Sequence, residues 1–448
     1  MLPRYILAGV ILIIALDLGR TSVSAGGATP SFLYTVAKTY EPLAWIEGGE
    51  RFPEGAAIFV HDAKGQHPLF GDFAASADAS VSFDGQRVLF AAKRKAEDRW
   101  QVWEVPLAGG APRVVTPAHQ DSIRPLYLPD DRVVYARGLD HRFVIEAADL
   151  AGGKAVALTY GPANYLPTDV LRDGRILFEA GYPLGSDTTP EIYTVYPDGS
   201  GVESYRCDHR EKHHLGRQVS SGDIVFASRS GLSRFTSARA LEVRIPVPVG
   251  EYAGDAAELP SGEWLMPWRR DATMPFQLVT LAPDSTSVHP AVVENGANIL
   301  QPVMVAERVA PKRFPSGLHD WPNANLLCLN AYTSKYQFAE GSIQSVRFYG
   351  RDSAGQPTLL GSAPVEGDGS FFVQVPSEQP LQVELLDGSG KTLNREAGYF
   401  WMRRGEQRVC VGCHAGPETA PENAVPMTLL KSTVPADMTG AHRAAGGQ

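Results

Sequence analysis

An all-β fold built from repeated four-stranded units is what this sequence predicts, and three observations predict it. Glycine and proline, 44 and 34 of the 448 residues, are spread along the chain, as many short strands joined by tight turns require. A turn of Asp-Gly type followed by an apolar strand recurs at nearly even spacing. Between these turns lie hairpins whose apolar and polar residues alternate, the pattern of half-buried strands. A chain of this length exceeds what one compact core holds, so two or three domains are expected.

The N-terminus comes first. Arg4 precedes an apolar run from Tyr5 to Leu18, broken by Asp17, and then the small residues Val23-Ser24-Ala25. That order of basic, apolar and small residues predicts a cleaved signal peptide over 1–25, with an uncleaved anchor as the alternative reading. The mature chain is therefore expected in the periplasm or outside the cell, where thiols become oxidised or bound to metal or cofactor.

The recurring turn places its second residue at Gly85, Asp131, Gly174, Gly222 and Gly262, at intervals of 40 to 48 residues. This is the period of a four-stranded propeller blade. Second hairpins accompany most units, for example WQVWEVPLAGGAPRVVT from Trp100 and EIYTVYPDGSGVESYR from Glu191. The fourth unit is the least regular, around Ala238 to Val249. A hairpin over 56–70 lacks an inner partner before it, and a lone strand-like segment over 299–311 follows the fifth unit. Joined, the two predict a sixth blade that closes the ring and removes exposed edges, with seven blades as the alternative count. The six-bladed propeller is expected over 43–312. After a linker, the blade period is lost, and the strands over 323–405 predict a small β-sandwich. A short C-terminal segment over 406–448 completes the chain.

That segment carries the strongest chemical signal, Cys410-Val411-Gly412-Cys413-His414. In this order two thiols form thioethers to haem vinyl groups and the histidine ligates iron. A redox Cys-x-x-Cys pair and half of a zinc site are the competing readings. Met402, Met427 and Met438 are candidates for the second axial ligand, and each also reads as apolar filler. A second cluster, Cys207-Asp208-His209 with His213 and His214, falls between the third and fourth units. It predicts either residues near the haem or a second metal ion such as zinc. The competing reading is a polar loop, with Cys207 buried or bonded to Cys328. Asp84 and Asp173 are expected to serve turns, not catalysis. With a net charge of -9 the chain would repel phosphate backbones, which excludes nucleic acid as a partner. The partners expected are a redox protein or a small-molecule substrate, with no membrane beyond export.

The Asp-Gly blade turns resemble those of TolB-like propellers. The order of parts, ending in VEGDGSFFVQVP from Val365 and RRGEQRVCVGCHAGPETAPENAVPMTL from Arg403, resembles the hydrazine synthase alpha subunit-like proteins, from about Ala56 to Leu429. The stretch DGSGVESYRCDHREKHH from Asp198 is similar to the same family and implies that Cys207 and His209 lie near the haem. The resemblance implies a periplasmic c-type haem oxidoreductase acting on a small, nitrogenous substrate. A mono-haem electron-transfer protein and a binding scaffold with a structural cysteine site are the alternatives. In that family the iron is carried by a Tyr shortly after the motif, and a further C-terminal domain holds a second haem. This sequence has no Tyr after His414 and no second Cys-x-x-Cys-His in the 34 residues that follow. His414 itself is therefore the expected iron ligand, and a complete hydrazine synthase activity is not expected.

Overall fold

The computed structural model describes residues 30–440, apart from 141, 182–189, 206–211, 230, 295, 314, 353–354, 413–418 and 420–422. Almost all regular structure is β; among the described residues the helices are the short Ala44–Glu47 and Met427–Lys431. Among the described residues eight separate sheets form, and none closes on itself into a barrel.

Six of these sheets lie between residues 32 and 304. Sheets two to five are consecutive up-and-down meanders, such as Ala75–Val81, Arg87–Lys93, Gln101–Pro106 and Arg113–Val114. The sixth begins with an interrupted inner strand, Glu251–Tyr252 and Ala257–Glu258, and ends at His289–Val292. The first sheet is different, because Asn298–Met304 from the far end of the segment pairs with Phe32–Ala37, which pairs with Ala57–Asp62 and then Gly65–Pro68. Each sheet packs against the next, and the sixth packs back on the first.

The segments 56–70 and 299–311 do share one sheet, as expected, but they are not direct neighbours and the set begins earlier than residue 43. A strand before residue 43, Phe32–Ala37, lies between them. It is buried along nearly its whole length, so it reads as a continuous apolar run and carries no alternation to mark it.

The first strand of each sheet faces the middle of the set, and these inner strands are irregular in the same place. Pairing shifts occur between Ala77 and Ser80, Ile123 and Leu126, Pro167 and Asp169, and His214 and Arg217. Asp78, Arg124, Leu215, Asp255 and Gln301 adopt left-handed backbone there, with φ between 51° and 58°. Such bulges turn a side chain out of the sheet plane, toward the convergence of the inner strands. Residues 38–56 cover one end of that convergence. Tyr40, Trp45, Ile46 and Phe52 pack there against Ala77, Ile123, Leu166, Ala253 and Leu300 from the inner strands.

The remaining two sheets form a sandwich. One runs in the order Gln407–Cys410, Asn323–Cys328, Phe371–Pro376 and Ala436–Asp437; the other in the order Pro357–Pro364, Ser345–Arg351, Gln382–Leu386 and Thr392–Arg395. Val346, Phe348 and Leu385 of one sheet meet Leu326, Val373 and Val375 of the other. The segment after residue 405 therefore supplies two strands to the sandwich, both in parallel pairings. Trp401 is wholly buried and inserts away from the sandwich, into the cluster that Tyr165 and Phe178 of the fourth sheet belong to.

Candidate functional site

Cys410 is the last residue of the sandwich edge strand Gln407–Cys410, in register with Cys328 on the neighbouring parallel strand. The two sulfurs are not joined to each other. Cys410 is half-buried, and burial pushes its thiol above its ordinary value. A redox-active Cys-x-x-Cys thiol needs the opposite shift. Immediately after it the chain runs tight against the loop at Asn330 to Thr333. A Cβ placed on Gly412 would sit 2.1 Å from the Thr333 carbonyl oxygen and 2.9 Å from that of Asn330. Only glycine permits this approach. Cys413 and His414 lie outside the described residues.

The motif strand is fastened to the fourth sheet through the buried Glu406. Its carboxylate accepts from the backbone N–H groups of Arg403, at 2.8 Å, and Gly201, at 3.1 Å, and from the Arg408 guanidinium, at 2.6 Å. Arg408 also donates to the Val202 carbonyl, at 3.4 Å, and Arg403 to that of Ala157, at 2.7 Å. The Glu203 carboxylate and the Arg239 guanidinium both act on the Cys410 thiol. The short strand Glu203–Ser204, which leads toward the second predicted cluster, thus runs beside the motif strand. Cys207, Asp208 and His209 themselves lie outside the described residues.

The other two members of that cluster are placed, and they correct the expectation of a second metal ion such as zinc. Both His213 and His214 are buried on the strand His213–Gln218. The His213 ring nitrogens lie 3.6 Å from the Glu191 carboxylate and 3.1 Å from that of Glu242. Burial disfavours its charge, but the two carboxylates outweigh burial and raise its pKa to about 9. An imidazolium has no lone pair to give a metal. His214 Nδ1 is 2.7 Å from the buried Glu179 carboxylate, which also accepts the Leu215 N–H. Among the described residues no group of three or more His, Cys, Asp or Glu side chains could hold a metal ion.

The three methionines separate by environment. Met402 and Met438 are 0% and 1% exposed in the sandwich core, whereas Met427 is 39% exposed. Asp84 and Asp173 accept backbone N–H groups across their turns, at 3.0 Å from Gln86 and from Arg175.

A feature the sequence reading missed is a buried charge network where the inner strands converge. Arg124 makes a two-pronged contact with Asp255, at 3.0 and 3.1 Å, and Arg217 adds a third bond to the same carboxylate, at 3.1 Å. The Arg124 N–H donates to Asp78, whose other oxygen accepts from Gln301; Arg51 stands 3.8 Å from Asp78 beneath the Tyr40, Trp45 and Phe52 rings. Burial pushes the Asp255 carboxyl up, and the Arg124 and Arg217 guanidiniums reverse this, holding it well below the usual carboxylate range. A small cleft lined by Asp78, Arg124, Arg217 and Gln301 opens onto this network. Asp78, Arg124 and Asp255 are scattered over 177 positions, so only the repeated bulge, invisible to periodicity, brings them together.

Comparisons with known proteins show what these features are similar to. Residues 330–415, which hold Cys410 and the loop it packs on, match the family described as the hydrazine synthase alpha subunit middle domain. Over 90% of its length this chain is similar in fold to 72% of a chain of the solved Kuenenia stuttgartiensis hydrazine synthase, with a TM-score of 0.74 and 16% identity. A TolB structure from Acinetobacter baumannii aligns with 63% of this chain and 67% of its own, with a TM-score of 0.47 and 14% identity. Among curated proteins, none matches this sequence.

Proposed function

We propose that this chain is an exported redox protein that carries one c-type haem, bound through thioethers from Cys410 and Cys413, with His414 on the iron. The six sheets are read as the blades of a TolB-like propeller, closed by the first sheet, and the sandwich as the haem-bearing domain. What carries the haem reading is the fixed start of the motif: Cys410 ends a strand, and the chain is held against the loop at 330–333 by an approach only Gly412 allows. The family match over 330–415 supports it. Bound there, a c-type haem supplies a one-electron iron couple.

One-electron exchange with a partner protein is the function this geometry supports best. Cys410 lies on an edge strand, beside the exposed Val409, at 59%, and not in the cleft where the inner strands converge. Turnover of a small nitrogenous substrate is the second reading, and it rests on the family match. Export to the periplasm follows from covalent haem attachment, which takes place there. The test is a pyridine haemochrome of protein made with cytochrome c maturation factors. One haem per chain is expected, lost in Cys410→Ser and Cys413→Ser. An apoprotein from the same host would end the haem reading. Carbon monoxide added to the reduced protein then separates an iron closed by a sixth ligand from an open one.

A further inference from the structure

Residues 38–56 reach the convergence of the inner strands through Arg51, whose guanidinium is short of protein partners. Arg51 is 1% exposed. Its Nη2 donates to the Tyr40 hydroxyl at 3.4 Å, while among the described residues its Nε and Nη1 meet no acceptor. Asp78 Oδ1, at 3.8 Å, is beyond hydrogen-bond reach and already accepts from Gln301. The Tyr40, Trp45 and Phe52 rings cover the guanidinium, with centroids 5.3 to 5.9 Å from Cζ, and offer it no lone pair at bonding distance. The Glu179 carboxylate, 0% exposed and near enough for Arg51 and Arg124 to act on it, has the complementary defect. Its Oε2 meets the Leu215 N–H at 3.2 Å and His214 Nδ1 at 2.7 Å, but among the described residues its Oε1 and the His214 Nε2 meet nothing. Buried donors and acceptors left in this way are costly, and folded proteins pair nearly all of them, with protein groups or with ordered water.

We propose that ordered water occupies the space between Arg51, Glu179 and His214, an internal hydration site that joins residues 38–56 to the inner strands. Water suits all three groups: it accepts from Arg51, donates to Glu179 Oε1, and does either toward His214 Nε2. An ion does not suit them. The guanidiniums of Arg51, Arg124 and Arg217 stand against the carboxylates of Asp78, Asp255 and Glu179, so an anion would face Glu179 and a cation would face Arg51. The way in is from the side away from residues 38–56. Ala77 and Ile123 touch that segment, whereas Ala79 and Leu126, further along the same strands, line the cleft with Asp78, Arg124 and Arg217. Arg217, with its side chain 17% exposed, carries the network to solvent. The inference stands apart from the haem reading and uses none of its residues.

A crystal structure of the full chain tests this, with further crystals soaked in bromide and in rubidium and measured at the absorption edge of each ion. Solvent density about 3 Å from both Arg51 and Glu179 Oε1 is expected, with no anomalous peak there. A bromide or rubidium peak at the site would replace water by an ion and overturn the proposal. So would Arg51 Nε and Nη1 bonded directly to protein groups with no solvent between. In solution, oxygen-17 relaxation dispersion reads long-lived internal water. Arg51→Met is expected to lower its amplitude, because the donors that hold the water are gone. Glu179→Gln is expected to keep it, because an amide still bonds to water at that place. An amplitude unchanged in Arg51→Met contradicts the site. Should Arg51→Met fail to fold, the wild-type crystals decide alone.

Discussion

Gly412 and His213 show how much a single position is asked to do. At Gly412 even a methyl group meets the Thr333 carbonyl at 2.1 Å, and that contact is backbone, which cannot swing away. Gly412→Ala is expected to destabilise the sandwich by about 1–3 kcal/mol through overpacking and, under the proposed haem attachment, to lower the yield of covalent haem. Thermal melts alongside haem stoichiometry check both effects. His213 sets a pH dependence. Its pKa is 6.5 unfolded and about 9 folded, so the imidazolium's contribution is complete below pH 6.5 and is lost as pH rises through about 9. The linkage amounts to at most about 3 kcal/mol. Urea unfolding of wild type and His213→Gln should therefore differ most in mild acid and converge in alkali. A gap that widens with pH would contradict the Glu191–His213–Glu242 arrangement.

At the scale of elements, the turns were legible and the inner strands were not. Asp-Gly turns announce themselves because the second residue needs positive φ, as Gly85 and Gly174 have at 71° and 82°. At Gly174 there is a second reason: a Cβ would meet the Lys312 carbonyl at 2.8 Å, where the linker crosses the turn. Inner strands such as SADASV and SIRPLYL look polar for buried elements because their partners are remote. Arg124 is satisfied by Asp255, 131 positions away, and Asp78 by Gln301, 223 positions away. No local pattern encodes such bonds. The second cluster misled for a related reason: a run of Cys and His resembles a metal site, whereas the fold points His213 and His214 at carboxylates on other strands. Asp255→Asn leaves Arg124 and Arg217 buried without their shared counter-charge. It is expected to cost about 3–5 kcal/mol in chemical denaturation, and a paired Arg124→Met, Asp255→Leu replacement less than that. Equal losses in both variants would show that the ion pair is not the relevant unit.

For the whole molecule, Trp401 joins the sandwich to the fourth sheet, packing on Tyr165 and Phe178 with its N–H toward the Gly199 carbonyl, at 3.4 Å. Trp401→Ala is expected to lose about 3–5 kcal/mol and to split one unfolding transition into two, seen by calorimetry. A single transition of unchanged midpoint would mean that the Glu406 and Arg403 contacts suffice.

The first sheet sets the order in which this molecule can be made. Phe32–Ala37 finds its place only between Ala57–Asp62 and Asn298–Met304, so Thr35 waits for Gln301, 266 positions later. Contacts of that separation slow folding, because a long loop must close before they form. During synthesis the first strand therefore stays unpaired on one edge until the last strand emerges, and in that interval it is open to pairing with the wrong chain. Refolding rate, more than equilibrium stability, is where substitutions along Phe32–Ala37 should register.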